Sequence, residues 1–153
     1  MPVLVITMPK FVDVDEKWPF FFADSLIIGD RKSNVAICSL WSLKEVVTKD
    51  IPRDKFTLAG NMYYNHGISY LLRAVLSNPN IRYIVLCGVD ITKSGESLIK
   101  LMEKGIEGHM IRGAGVEIEK EIPSDAIGLF RKTVQVIDMR NVVDSGKILE
   151  KIN

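Results

Sequence analysis

Apolar residues fall into two kinds of run along this chain, and their alternation predicts an architecture. Short continuous runs bounded by turn residues mark strands covered on both faces, and apolar positions three and four apart mark helices with one buried stripe. Ser25-Leu26-Ile27-Ile28-Gly29-Asp30 reads as a short strand ending in a turn, and Asn34-Val35-Ala36-Ile37-Cys38-Ser39-Leu40 as the first central strand. A helix is expected from about Ser42, then a short strand over 55–59 closed by Gly60-Asn61. Residues 66–77 carry Ile68, Leu71, Leu72, Val75 and Leu76 at helical spacing, a stripe suited to packing on a sheet.

The segment from Asn78-Pro79-Asn80-Ile81-Arg82 through Cys87-Gly88 predicts a turn and a fully buried strand, and Val89 to Glu96 a polar loop opening a helix. That helix is expected over 94–104, with Ser94 as its cap and Gly105 as its stop. Four glycines at 105, 108, 113 and 115 predict a loop that closes over a ligand. A short helix over 124–131, a last strand over 134–139 and a terminal helix over 145–152 follow. Before all of these, residues 3–8 suit a strand and 10–22 an irregular segment wrapping the domain. Such alternation favours right-handed βαβ crossovers: a single α/β domain over 1–153, with 1–24 as an irregular amino-terminal extension, and an open, mostly parallel sheet with helices on both faces.

Composition narrows the functional classes. The 153 residues are 47% hydrophobic and 25% charged, and twenty basic against nineteen acidic side chains leave a formal charge of +1. No global field draws in nucleic acid or an anionic membrane. No apolar run approaches the roughly 20 residues that cross a bilayer, and the amino terminus lacks a basic leader and a cleavage site, so a cytoplasmic protein is expected. Cys38 and Cys87 fall inside expected strands, where a thiol packs as a small hydrophobe. With two histidines, His66 and His109, and no paired-cysteine spacing, no metal site is expected from the chain itself.

The candidate site lies at the carboxyl ends of the strands, where open α/β sheets hold ligands. Ser39, Trp41 and Ser42 follow the first central strand; Gly60 and Asn61, leading into Met62-Tyr63-Tyr64-Asn65, supply an amide and rings suited to a flat ligand. Gly88, Asp90, Thr92, Ser94 and Gly95 form the third side. Ser94-Gly95 suits either an anion at a helix start or simple capping. Asp90 and Glu96 flank the loop as an acid and base, as ligand-binding groups, or as solvated surface. No catalytic residue is assigned.

These segments resemble the corrinoid-carrying domain of the A subunit of tetrahydromethanopterin S-methyltransferase. The resemblance rests on Gly29-Asp30 with Ser33 and Val35 to Leu40, on Ala59-Gly60 with Gly67-Ile68, and most specifically on Asn78-Pro79-Asn80-Ile81-Arg82 through Cys87-Gly88. Gly95-Glu96-Ser97-Leu98-Ile99-Lys100-Leu101 with Lys104-Gly105-Ile106 continues it, and a weaker match runs through Gly128-Leu129, Val136-Ile137-Asp138 and Asp144 to Ile148. It implies a Rossmann-like fold and a corrinoid (cobamide) ligated by a histidine in the loop after the buried strand, serving methyl transfer in one-carbon metabolism. The corresponding loop here, Gly88 to Gly95, is about two residues shorter and has Thr92 and Lys93 but no histidine. Threonine is a poor cobalt donor, and a lysine amine must first lose its proton against a reference pKa near 10.4. His66 and His109 are the substitutes the chain offers.

The family's carboxyl-terminal membrane anchor has no counterpart before Asn153, so no anchor is expected. Three functions stay open: a small-molecule-binding domain for a corrinoid or pterin that lacks the cobalt ligand, an enzyme of pterin- or folate-linked one-carbon transfer of the thymidylate-synthase-like kind, and a non-catalytic assembly module. The partners expected are the small molecule and either a second copy in a homodimer or methyltransferase subunits.

Overall fold

The computed structural model describes residues 13–20 and 22–152. The strand expected over 3–8 lies outside the described residues, as does the first part of the wrapping segment. Successive residues of β2 (Val35–Cys38) and β4 (Tyr83–Gly88) divide between two apolar cores. Ala36, Cys38, Ile84 and Leu86 enter one with Leu72, Leu98 and Phe130, while Val35, Ile37, Val85 and Cys87 enter the other with Val47, Phe56 and Ile148. A strand side chain points to alternate faces, so a run apolar at every position is buried on both. The first core is covered by α2 (Gly67–Leu76), α3 (Ser94–Lys104) and α4 (Ser124–Thr133), and the second by α1 (Lys44–Val47) and α5 (Ser145–Ile152).

With β1 (Ile27–Ile28), β3 (Leu58–Gly60) and β8 (Gln135–Arg140), the main sheet has the order β1-β3-β2-β4-β8. Strands β3, β2, β4 and β8 run parallel, and β1 is antiparallel to β3 with Ile27 opposite Ala59. The mostly parallel sheet with helices on both faces expected from the pattern is present, its one edge made mixed by β1.

Two local expectations are corrected. The helix expected from Ser42 is a single turn beginning at Lys44, because Val46, Val47 and Thr48 are successive β-branched residues that propagate a helix poorly. The glycine-rich stretch is no loop over a ligand but a three-stranded antiparallel sheet: β5 (Ile106–Glu107), β6 (Met110–Ile111) and β7 (Val116–Glu117). Gly108, at φ 61°, makes the first reversal, and the buried Ile111, Ile118 and Ile122 seat the sheet in the core beneath α2, α3 and α4. Arg131 of α4 closes the end of α3 by donating to the carbonyls of Leu101 and Met102, beside Gly105, which does stop the helix.

The Asn-Pro-Asn turn lies at the amino edge of the sheet, opposite the carboxyl ends of the parallel strands. Asn78 and Asn80 each donate from Nδ2 to the Arg31 carbonyl at 3.1 Å, and the Asn78 side-chain oxygen accepts the Asn80 N–H. Arg82 N–H then bonds the Asn34 carbonyl, aligning β4 beside β2. Trp18 clasps the outside of α2, its indole N–H donating to the Ala74 carbonyl at 2.8 Å and to Ser77 Oγ at 3.1 Å. Because Asn78 is wholly buried, its replacement by alanine removes one of the two donors to the Arg31 carbonyl and the side-chain acceptor of the Asn80 N–H. Asn78→Ala is expected to cost about 1–3 kcal/mol in urea unfolding, without loss of secondary structure in far-UV circular dichroism.

Candidate functional site

Strand order fixes where a crevice should open. The chain passes from β2 outward to β3, then back across to β4 on the other side of β2, so the connections diverge between the carboxyl ends of β2 and β4. Most of the residues singled out in the sequence meet here, and they bond to one another. Trp41 N–H donates to the Val89 carbonyl and Val89 N–H to Ser42 Oγ, each at 3.1 Å. Gly88, at φ 78°, makes this possible: a Cβ there would lie 2.1 Å from the Ser39 carbonyl oxygen. Asn61 Nδ2 spans the Leu40 and Ser42 carbonyls at 3.0 and 2.6 Å, and the buried Ser39 donates to the Gly60 carbonyl at 3.4 Å. Above them the Trp41 indole N–H reaches the Tyr63 carbonyl at 3.0 Å and Thr92 Oγ1 at 3.3 Å, and the Thr92 hydroxyl donates to the same carbonyl.

The start of α3 is occupied in the same way. The Asp90 carboxylate accepts the Gly95 N–H at 3.0 Å and the Glu96 N–H at 2.9 Å, so the chain's own anion fills the positive end of the helix. The cap position belongs to Lys93 in the left-handed region, not to Ser94, whose hydroxyl instead donates to the Met62 carbonyl at 2.7 Å. Arg140 stands behind this arrangement, 3.8 Å from Asp90 and paired through two nitrogens with Asp138, whose carboxyl it holds below the usual carboxylate range. Glu96 pairs with Lys100 one turn along, so Asp90 and Glu96 have separate partners.

Beside this closed junction a cavity of about 320 Å³ remains open, between the ends of β2 and β3 and the first turns of α2. Gly60 and Asn61 line it; Ser39, Trp41, Ser42, Gly88, Asp90, Thr92, Ser94 and Gly95 do not. Its rim is aromatic, with Tyr63, Tyr64, His66 and Tyr70, and Phe22 of the wrapping segment meets Tyr70 edge-on at 4.9 Å between ring centres. Sequence reasoning named His66 only as a spare donor and missed Lys44 and Tyr70. The available signal was the spacing of His66 and Tyr70, four apart at a helix start and therefore on one side of it.

The titratable groups suited to catalysis are accounted for otherwise. Cys38 borders the cavity and Cys87 faces the opposite core, and burial pushes each thiol up to about 12. His109 lies on the small sheet, its Nε2 2.8 Å from the Ile122 carbonyl oxygen, while His66 stacks on Tyr64 at 6.0 Å. Among the described residues, no cluster of three or more His, Cys, Asp and Glu side chains could hold a metal ion, and no helix is long and apolar enough to cross a membrane. With their thiolate forms suppressed, both cysteines should resist iodoacetamide at neutral pH and react only once urea unfolds the chain, as intact-mass spectrometry would record. Asp90→Ala should cost about 0.5–2 kcal/mol in thermal or urea unfolding, since it uncovers two N–H groups at the start of α3.

Comparison with known proteins bears on the whole of this architecture. A family model named MtrA, for the A subunit of tetrahydromethanopterin S-methyltransferase, matches residues 12–153. The chain is 31% identical over 147 residues to the A 2 subunit of that enzyme from Methanothermobacter marburgensis, covering 91% of this chain and 77% of that protein. It is 33% identical over 145 residues to the A 2 subunit from Methanobrevibacter ruminantium, covering 90% and 72%. Against the A subunit from Methanopyrus kandleri the identity is 30% over 135 residues, covering 83% of this chain and 54% of that protein. The match takes in both layers of helices, the Asn-Pro-Asn turn and the closed junction alike, and the chain belongs to the MtrA family of tetrahydromethanopterin S-methyltransferase A subunits.

Proposed function

We propose that residues 13–152 act as one small-molecule-binding domain in one-carbon metabolism, and that the loop after β4 does not ligate cobalt. The observation that carries this reading is the closure of that loop: Thr92 is bonded to Trp41 and Tyr63, and Asp90 to the backbone of α3, with an open cavity left beside them. A corrinoid held in the manner of the family needs a nitrogen donor from this loop, and residues 88–95 include no histidine. Trp41 stands over the junction, its indole N–H bonded to the Tyr63 carbonyl and to Thr92. These residues do not fit a corrinoid ligated from the β4 loop. A cysteine-dependent transferase is disfavoured as well, because burial raises both thiols and favours their protonated form. By likeness to relatives named as parts of a methyltransferase, partner subunits are the expected macromolecular contacts.

Titration with hydroxocobalamin, then desalting and an absorption spectrum of the protein fraction, tests the proposal. The expected result is protein free of stoichiometric corrinoid. Retention of one corrinoid per chain, with a spectral shift abolished in Lys93→Met and kept in His66→Ala and His109→Ala, would overturn it by placing the cobalt ligand in the β4 loop.

A further inference from the structure

We propose that the cavity beside α2 is a binding site for a small planar aromatic carboxylate, its ring held by the tyrosine-lined walls and its anionic group drawn to Lys44. The inference accepts that this domain binds a small molecule but does not depend on what the β4 loop does.

The walls show why the ligand should be flat. Tyr63, Tyr64 and Tyr70 keep 43%, 54% and 36% of their surface exposed around one opening, Tyr63 and Tyr64 set edge-on to Trp41 and Tyr70 edge-on to Phe22. Exposed aromatic rings grouped at a concave apolar surface supply stacking area at little conformational cost. Glycine keeps two walls thin. A Cβ at Gly60 would sit 2.4 Å from Leu26 Cδ2, and one at Gly67 would sit 2.8 Å from Met62 Cγ, so any side chain there would collide with a neighbour that itself lines the cavity. Leu58 and Leu71 complete an apolar floor. A volume of about 320 Å³ lies at the small end of ligand pockets and suits one fused ring pair with a short acidic arm.

Charge gives the sign. Among the described residues no aspartate or glutamate lines the cavity, whereas Lys44 does, with its side chain only 19% exposed. Its partner is Glu45 at 3.2 Å, a carboxylate 60% exposed that returns readily to water when a ligand anion takes its place. Asn61 is held rigid with its Nδ2 hydrogens given to the Leu40 and Ser42 carbonyls, so Lys44 alone carries the attraction for an anion. His66 at the rim adds no negative charge in either protonation state. A ring bearing a carboxylate therefore finds stacking, apolar contact and a cation in one enclosure, and a ring bearing an ammonium finds only the first two.

Fluorescence titration of the intact chain with 2-naphthoate, its neutral amide 2-naphthamide and 2-naphthylmethylammonium separates these contributions. Saturable one-to-one binding is expected, in the order naphthoate, naphthamide, ammonium. Lys44→Met should weaken naphthoate by about threefold to fivefold and leave naphthamide unchanged, as a partly exposed ion pair requires. Leu71→Trp, which fills the floor, should abolish binding of both while preserving the far-UV circular dichroism spectrum; if that variant does not fold, Tyr64→Ala should weaken both probes equally. Absence of saturable naphthoate binding, equal affinity for all three probes, or equal losses for naphthoate and naphthamide in Lys44→Met would overturn the proposal. None of these outcomes alters the hydroxocobalamin result, so the two readings fail separately.

Discussion

The double-sided burial of β2 and β4 is the constraint on which the remaining structure depends. Every residue of Val35–Cys38 is buried, as are the last five of Tyr83–Gly88, so both strands must lie side by side at the centre with a helical layer on each face. Parallel pairing follows because each strand returns through a helix on one of those faces. Once Ala36 faces α2 and Val35 faces α1 and α5, the connections after β2 and β4 must emerge together at one end of the sheet, and the Asn78 and Asn80 amides must fasten the other. The crevice at the carboxyl edge is thus a consequence of packing.

What happens at that edge is decided by close backbone approach. Gly88 lets β4 come so near the Ser39 carbonyl that no other residue fits, and the Trp41–Val89 and Val89–Ser42 bonds then draw the junction shut. Asp90 satisfies the helix start that would otherwise attract an external anion. The polar residues gathered at the divergence of the connections therefore serve one another. The open volume moves sideways, between β3 and α2, where tyrosines and a lysine replace serines and glycines as the surface presented to solvent.

Both cysteines illustrate how burial removes a reactive role without changing the residue. Cys38 and Cys87 lie on adjacent strands yet point to opposite cores, so they cannot pair, and the apolar surroundings hold each proton firmly. Their identity as core residues was legible from the continuous apolar runs around them. The opposite case is the glycine-rich stretch after α3. Its four glycines predict irregular chain, but Ile111 and Ile118 seal a small antiparallel sheet against the core, and the glycines serve as its turns.

Local pattern was enough to place helices over 66–77, 94–104 and 124–131, which the structure bounds at 67–76, 94–104 and 124–133, and to find the central strands and the α/β class, because an apolar stripe or a run buried on both sides needs no knowledge of its partner. It also located the segments that meet at the carboxyl edge. Which of their side chains face a ligand depended on distances between residues remote in the chain: Trp41 to Thr92, Asn61 to Ser42, Asp90 to the amide groups of α3. Lys44 and Tyr70 carried no signal as a pair, since only the packing of α1 and α2 around the end of β3 brings them to one cavity. Sequence periodicity determines what is buried; the shape of the space left over is decided by tertiary contacts, because a cavity belongs to no single element.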